Sequence, residues 1–599
     1  MKYLPITILL LTVGLFHACD LDEYNPSGVT AETVFSTPEG FETLVNACYV
    51  NLRKEFYGTE DILLMTEGGT DCWFNNEKSF YNKQTTRYMN LASDLTKFNN
   101  PWKRMYDPIN LCNAAIGRAD GAGFPNDSIR DAKVAEAHFL RAYYNWMIVE
   151  QWGGVILRTE ETAGPVLSAQ RSSVDDFYEV ILDDIDFAVS HLPMSQVEIG
   201  RPDKKAALAL QARLALTRAA YFDPTTPEAV TYYTLAKTAA TELITNKAMY
   251  GVDLYPDFND VFKPANNKAN TECLFKVTHS ATASYNGDDT PNRLHLWFLS
   301  DYSSYCGVSL NLADGNDQSN SRGPGLMPTL YQLDVFNEDM DARYYASFQE
   351  AFICNYVKDP TNPLAPAKKR WTTSEITRFK KDNTVIKTTT TINTGDTALF
   401  FTKKALPDKA RRNYGVVDKY DLYDVGNTDS ILTTELNAHH PQLRKYLDPN
   451  RSNVNSDFCT QDVILIRLAE MYLIAAEAEY YLNNKPQAKD WINVLRTRAA
   501  IKAPVNMTDS MQVTENDLSP AFFLDERARE LTGEHLRWFD LVRTFRRTPT
   551  AWVEWIKAKN PNILDVKTHH MYRPIPQIEV ETMLNFDEFE QNPGYDTEN

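Results

Sequence analysis

The stretch DVILIRLAEMYLIAAEAEYYLNNKPQAKDWINVLRTR, residues 462–498, decides the fold of this chain. Its apolar side chains recur at steps of four and three residues, which predicts one buried stripe along a helix. These positions are Ile464, Leu468, Met471, Ala475, Ala478 and Leu482. The dipeptide Asn483-Asn484 breaks the periodicity, and a second helical pattern begins after Pro486. The stretch therefore predicts a helical hairpin.

The spacing within this hairpin matches that of a tetratricopeptide repeat. Small residues stand where two helix axes approach closely, in Tyr472-x2-Ala475-Ala476 and again in Ala488-x3-Ile492. Glu479 replaces an aromatic residue of the repeat pattern, so the repeat is degenerate. We predict a mainly α fold, in which tetratricopeptide-like hairpins form an α-α superhelix around a long, loop-rich insertion with short strands.

The amino-acid sequences of several segments resemble those of a known protein family. The sequences IRLAEMYLIAAEA and INVLRTRA resemble the C-terminal part of the SusD/RagB family of nutrient-binding outer-membrane lipoproteins. Further segments agree in order along the chain: 135–157, 200–216, 526–543, 574–580 and 591–595. The resemblance implies an α-helical protein that binds nutrient, usually glycan, at the cell surface. It also implies a partner, a SusC-like TonB-dependent transporter barrel, over which the protein acts as a lid.

The N-terminus has the layout of a secretory signal. Lys2 precedes an uncharged apolar run at 3–16, which is too short to span a bilayer, and Ala18-Cys19 follows. We predict a signal peptide at 1–18 and acylation of Cys19, with ordinary signal cleavage nearby as the alternative. The acidic run 20–23 resembles a surface-export signal, although a solvated leader has the same composition. The expected location is the outer membrane of a Bacteroidetes-like bacterium, facing outward.

The length of the chain bears on its domain organisation, and its net charge bears on its partners. A chain of 599 residues corresponds to about four domains by size alone, yet no linker divides it. Stacked hairpins explain this, since they grow without separate cores. We divide the mature chain into helical repeats at 19–250, an insertion at 251–461 and a C-terminal helical region at 462–599. The net charge of −19 repels phosphate backbones and disfavours nucleic acid as a partner.

Helical patterns fill the first region, and irregular sequence fills the insertion. The helices are expected at 38–51, 102–120, around 135–149, and at 173–191, 203–221 and 227–246. Two strand-like pieces stand out in the insertion, at 273–278 and 384–391. A loop-rich region of this length is usually functional or disordered, and its many aromatic residues argue against disorder.

Two aromatic and polar clusters are the candidate glycan site. Aromatic rings stack on the C–H faces of sugars, while amides and carboxylates bind the hydroxyls. The expected ligand contacts are Asp71, Trp73, Asn75, Arg87 and Tyr88 in the first cluster, and Tyr285, Asp288, Asn292, Trp297 and Tyr302 in the second. For each aromatic residue the alternative is core packing or burial against the transporter. Trp102, Tyr106, Trp146, Trp491 and Trp538 lie in helical patterns and are assigned to packing.

Charged motifs and cysteines do not point to catalysis. The pairs Arg467-x2-Glu470, Glu526-x2-Arg529 and Glu534-x2-Arg537 have the spacing of ion pairs on a helix. The seven cysteines besides Cys19 have no metal-ligand spacing, and we expect small buried residues with no essential disulfide. A calcium-loop opening at Asp448 fails, because Asn453 replaces the required glycine.

The sequence thus predicts a binding protein that is not an enzyme and needs no metal or cofactor. No phosphate-binding loop, nucleophile elbow or HExxH motif is present. Three alternatives stay open: a peptide-binding protein of the same family, an α-helical glycoside hydrolase with two acidic residues, and a scaffold without a ligand of its own.

Overall fold

The structure is a computed structural model. It describes residues 30–53, 57, 60–75, 80–282, 285, 292–303, 305–312, 325–356, 361, 368–370, 372, 375, 391–423, 439–563 and 565–595. Cys19, Asp288 and the greater part of the expected strand at 384–391 lie outside these residues.

The first half of the chain consists of helices that pack in sequence order. Their bounds are α1 (Ala31–Phe35), α2 (Pro38–Cys48), α3 (Glu60–Thr66), α4 (Phe80–Arg87), α5 (Thr96–Arg118), α6 (Asp127–Trp152), α7 (Val174–His191), α8 (Lys204–Ala219), α9 (Pro227–Thr245) and α10 (Lys247–Tyr250). Neighbours α5 and α6, α6 and α7, and α8 and α9 form antiparallel-type hairpins in extensive contact. The mainly α prediction is confirmed.

Polar caps fix where these helices begin. Thr37, Ser173, Asp203 and Thr226 each accept a backbone N–H of the following turn, as expected of N-cap residues. The long helix α5 begins earlier than predicted and continues through Pro101 and Pro108. Each proline removes only one backbone donor, and burial of one face of the helix compensates.

The decisive hairpin is formed by α14 (Leu468–Tyr481) and α15 (Lys485–Ala499), with Asn483 at a φ of 60° in the turn. Helix α14 also packs against α9, so the hairpin stacks on the first half of the chain. The prediction that the helix already includes Ile464 is wrong. Residues Val463–Arg467 form strand β11, which pairs antiparallel with β2 (Cys273–Val277). All five side chains of β11 are buried, a setting that suits a β-branched run.

The insertion contains short strands and short helices. The strands are β1 (Trp73–Phe74), which precedes it, then β3 (Met327–Pro328), β4 (Phe348–Gln349), β5 (Ala351–Ile353), β6 (Lys368–Arg370), β7 (Thr391–Asn393), β8 (Thr397–Phe401), β9 (Gly415–Val417) and β10 (Gln442–Leu443). The helices are α11 (Leu330–Asp334), α12 (Arg343–Ser347) and α13 (Lys419–Leu422). Strands β5, β8 and β9 form a three-stranded sheet, and the others pair in twos. The expected strand at 273–278 is confirmed as β2.

The chain ends in α16 (Thr508–Met511), α17 (Pro520–Glu530), α18 (Arg537–Phe545), α19 (Pro549–Lys559) and α20 (Gln577–Glu581). One hydrophobic core runs through all three regions, from Phe41 to Tyr595. Six of the seven cysteines lie buried in the protein and Cys273 is half-buried, which agrees with their expected role as small core residues. Among the described residues, no helix is long and apolar enough to cross a membrane.

Candidate functional site

The two predicted clusters meet in space. Strand β1 of the first cluster pairs with β3, with Trp73 opposite Pro328. The N–H of Leu326 donates to the carbonyl of Trp297 at 2.6 Å. The Trp73 ring packs edge-on against Phe298, with 4.8 Å between centroids. Loops from both halves of the chain therefore form one junction.

The leading aromatic residues are buried inside that junction. Trp73 is 0% exposed, Trp297 is 9% exposed, and Tyr302 is 0% exposed with its ring stacked on Phe352. The expectation that these rings project to solvent is wrong, because they pack in the core beneath the loops. In the described part of the chain, neither Trp73 nor Trp297 has a hydrogen-bond partner for its indole N–H.

Asp71 anchors the junction to the C-terminal helices. Its carboxylate accepts from Nε and Nη2 of Arg537, at 2.7 and 2.5 Å, and from the indole N–H of Trp555 at 2.7 Å. Burial disfavours the charge of Arg537, but Asp71 outweighs it, so the pKa of Arg537 is raised well above its usual value. Because both carboxylate oxygens accept from protein donors, Asp71 acts as a structural ion-pair partner here.

The remaining members of the first cluster are also packed against protein. Tyr88 donates to the carbonyl of Gly69 at 2.8 Å, its ring stacks on His570, and burial raises the pKa of its hydroxyl. Asn75 is buried, whereas Arg87 at the end of α4 is half-buried, with its pKa lowered by that burial. Of this cluster, Arg87 alone reaches the surface.

The second cluster divides in the same way. Asn292 is buried, and its Oδ1 accepts from the N–H of Leu294 at 3.0 Å. Tyr285 is 69% exposed and is the aromatic residue of the prediction that projects into solvent. Ligand contact by Tyr285 and Arg87 stays a prediction.

Half-buried residues form a rim beside the junction, namely Tyr305, Asn355 and Tyr356, which we call the aromatic rim. Tyr305 belongs to the second cluster of the sequence, whereas sequence reasoning missed Asn355 and Tyr356. Asn355 joins two loops, since its Nδ2 donates to the carbonyl of Ser309 at 2.9 Å and its Oδ1 accepts the N–H of Ser309 at 2.7 Å. The Tyr305 ring lies edge-on to buried His439, 5.7 Å between centroids. An aromatic residue beside an amide, as in Asn355-Tyr356, was the available signal.

A buried network of ion pairs supports the junction from below. Arg467 of β11 binds Glu530 at 2.7 Å and Glu534 at 2.8 Å, and Arg343 of the insertion binds Glu526 at 2.8 Å. Although Glu534 is buried, its pKa is lowered, because the charges of Arg467 and Lys445 outweigh the cost of removing the carboxylate from water. The network fixes α12 of the insertion and strand β11 to α17.

Of the three predicted ion pairs, the structure contains Glu526–Arg529, at 2.8 Å. The other two are wrong in their partners. Arg467 lies in a strand rather than on the helix, and Glu470 instead binds Arg213 at 2.6 Å. Arg537 is engaged by Asp71, as described above. The structural role assigned to these charges holds with different partners.

The described residues contain no group of three or more His, Cys, Asp or Glu side chains that could hold a metal ion. The carboxylate of Asp448 in the failed calcium-loop sequence accepts from the N–H groups of Asn450 at 3.0 Å and Thr460 at 2.6 Å. It therefore stabilises its own loop.

The paired helices place the protein in the tetratricopeptide-like class of α-α superhelical scaffolds. The chain belongs to the SusD family, whose model matches residues 244–595. A second family model, described as starch-binding associating with outer membrane, matches residues 21–216. The resemblance in the sequence is thereby confirmed.

Relatives and solved structures match over nearly the whole chain. SusD-like protein P2 of Formosa agariphila is 23% identical over 99% of this chain and 100% of its own length. A laminarin-binding SusD-like protein superposes with a TM-score of 0.61 at 18% identity, covering 93% of this chain and 100% of its own. Surface glycan-binding protein A of Bacteroides fluxus gives a TM-score of 0.63 at 19% identity, with 93% and 100% covered. These structures show that the fold is shared.

Proposed function

We propose that this protein is a lipid-anchored, cell-surface protein that binds glycan and delivers it to a SusC-like TonB-dependent transporter. It acts as the lid of that barrel and does not alter its cargo. The observation that carries the proposal is the aromatic rim, where two half-buried tyrosines lie on loops that the Asn355–Ser309 hydrogen bonds join. Family membership adds support, since two members of the fold are named for laminarin binding and surface glycan binding.

The chemistry of the rim suits a neutral saccharide. Tyrosine rings offer flat apolar faces to the C–H groups of a sugar ring, and hydroxyl and amide groups bind its hydroxyls. Tyr285, which is exposed, adds a third ring from the second cluster. The affinity of one such site is weak, and a dissociation constant of about 1 mM corresponds to only about 4 kcal/mol. Enclosure between lid and barrel raises the effective concentration of the bound glycan.

The N-terminal sequence supports the proposed anchor, and family membership supports the proposed partner. Acylation of Cys19 would give stable attachment, because several acyl chains hold a protein where one chain is marginal. Metabolic labelling with an alkyne fatty acid tests this, with Cys19→Ser as the unlabelled control. Purification of the tagged protein from its own membranes tests whether a transporter barrel comes with it.

Glycan binding is tested by calorimetry of the purified mature protein against laminarin, starch, fructan, xylan, mucin glycans and a set of peptides. We expect one glycan class to bind and the variants Tyr305→Ala and Tyr356→Ala to weaken it. Phe586→Ala is the matched control, because Phe586 is an exposed ring outside the rim, at 54% exposure. Binding of peptides alone would favour the peptide alternative, and silence across the panel would favour a scaffold without a ligand.

A further inference from the structure

A cavity lies between the end of α2, the loop that precedes α8, and strand β2. It has a volume of about 340 Å³, which is at the lower end of the range of small-ligand pockets. The side chains that matter for its chemistry are Asn46, Tyr49, Arg53, Glu198, Arg201 and Lys276. None of them belongs to the aromatic rim, so the cavity is a separate candidate site.

Most of the charges in this cavity are already matched. Arg201 binds Glu136 at 2.7 Å and also pairs with Glu42 and Glu198. Lys276 binds Asp462 at 2.9 Å. These groups hold the walls together and leave little charge for a ligand.

Arg53 is the exception. Within the part of the chain that the structure describes, its Nε is buried and has no hydrogen-bond acceptor. Burial lowers the pKa of Arg53, and no carboxylate among the described residues opposes that effect. A buried guanidinium N–H without an acceptor is costly, and an anion placed against it forms charge-assisted, often bidentate hydrogen bonds. The cavity therefore carries one unmatched positive charge.

A second polar group without a partner lies next along the chain. His279 follows Thr278, which lines the cavity, and in the described structure both of its buried ring nitrogens lack a partner. Burial lowers the pKa of His279 to about 4, and the charges of Lys268 and Arg53 act in the same direction. The imidazole is thus neutral at pH 7, with one nitrogen able to donate a hydrogen bond and the other able to accept one.

One wall of the cavity, the loop 198–201, depends on a glycine. Gly200 has a φ of 96°, and a Cβ at this position would lie 2.7 Å from Cγ2 of Thr278. Only glycine adopts this backbone conformation readily and tolerates such close approach. The loop 198–201 can therefore close against the end of β2 and give the cavity a defined shape.

We propose that this cavity binds a monosaccharide-sized ligand through a carboxylate or sulfate group, with Arg53 as the anchor of the anion. Thr278 and the amide nitrogen of Asn46 supply polar groups for the hydroxyls of such a ligand, whereas the Tyr49 hydroxyl already donates to Glu136 at 2.6 Å. Of the cationic side chains that line the cavity, Arg53 alone lacks a carboxylate partner in the described structure. The inference goes beyond the proposed function, since a neutral glycan at the aromatic rim does not require Arg53.

The test is calorimetric titration of the purified mature protein with glucuronate, glucose 6-sulfate, glucose and inorganic sulfate. We expect one of the two acidic sugars to bind at least about tenfold more tightly than glucose, since hydrogen bonds to charged groups are worth that factor or more. Arg53→Gln should remove this preference, and Arg53→Lys should retain part of it, because lysine keeps the charge but loses the bidentate geometry. Arg547→Gln is the matched control, because Arg547 is an exposed arginine elsewhere, paired with Asp223.

Three results would overturn the proposal. The first is that the wild-type protein binds glucose and both acidic sugars equally, or binds none of the three. The second is an affinity for the acidic sugar that Arg53→Gln leaves unchanged while thermal melting shows the variant folded. The third is inorganic sulfate binding as tightly as glucose 6-sulfate, which would mean that the cavity does not recognise a sugar. Binding of neutral glycan by Arg53→Gln measures the aromatic rim separately.

Discussion

The guanidinium of Arg467 lies 2.7 Å from the carboxylate of Glu530, and both side chains are almost fully buried. Arg467 ends strand β11 and directly precedes helix α14, while Glu530 ends helix α17. This contact joins the start of the decisive hairpin to the C-terminal helices. The rigidity of the scaffold therefore depends on a small number of buried charges.

Removal of that guanidinium should be strongly destabilising. In Arg467→Met, the buried carboxylate of Glu534 loses its main partner and that of Glu530 loses one of its three arginines, and breaking a buried pair costs about 3–5 kcal/mol. Equilibrium unfolding in urea measures the change. Arg547→Met, which disrupts an exposed pair, is the control and should cost less than about 1 kcal/mol. Equal effects of the two variants would contradict a structural role for the network.

Glu67 should make stability depend on pH. Burial raises the pKa of Glu67 from 4.5 to about 8 in the folded protein. Between these values the folded state holds a proton that the unfolded state has released, so the free energy of unfolding falls as pH rises, by about 1.4 kcal/mol per pH unit. Glu67→Gln should remove this contribution. We expect the stability of the variant, relative to wild type, to increase from pH 5 to pH 8; a constant difference would mean that Glu67 is ionised.

Trp73 and Trp297 should behave as core residues. Trp73→Ala removes a fully buried ring packed on Phe298, and such substitutions cost about 3–5 kcal/mol. Tyr305→Ala, at a half-buried position, should leave the melting temperature nearly unchanged and weaken glycan binding. Thermal melting and calorimetry on the same samples separate the two effects. A stable Trp73→Ala that loses binding would return Trp73 to the ligand site.

Incubation with the bound glycan should produce no new reducing ends. One cleft, of about 530 Å³, does place Asp107 and Glu579 beside Trp102 and Tyr106. Burial raises the pKa of both carboxyl groups, so the two are shifted in the same direction, whereas the environments of a glycosidase acid and nucleophile push their pKa values apart. Reducing ends that appear with wild type and vanish in Asp107→Asn or Glu579→Gln would establish the hydrolase alternative instead.

The sequence predicts the helices well and the site poorly, for physical reasons. Thr37, Ser173 and Asp203 are local cap signals, so the starts of their helices can be read directly. Ile464 fits the helical period, yet the partner strand β2, almost two hundred residues away, draws it into a sheet. A single sequence does not contain that pairing.

The solvent exposure of the predicted site residues is harder to predict from the sequence than the helices are. Asp71-Cys72-Trp73 has the composition of a sugar-binding loop, but its carboxylate meets Arg537, which lies 466 residues later in the chain. Burial of Trp73 and Trp297 depends on the same long-range packing. Asn355-Tyr356 has an aromatic residue beside an amide, but its local pattern does not distinguish a surface loop from a strand end.

Whether the aromatic rim binds glycan without cleaving it is tested by a crystal structure of the mature protein with a glycan from the binding panel. We expect an intact saccharide whose ring lies against Tyr305 or Tyr356, within hydrogen-bond distance of Asn355, on an unchanged helical scaffold. A saccharide bound elsewhere with the rim empty, or a cleaved one, would contradict it.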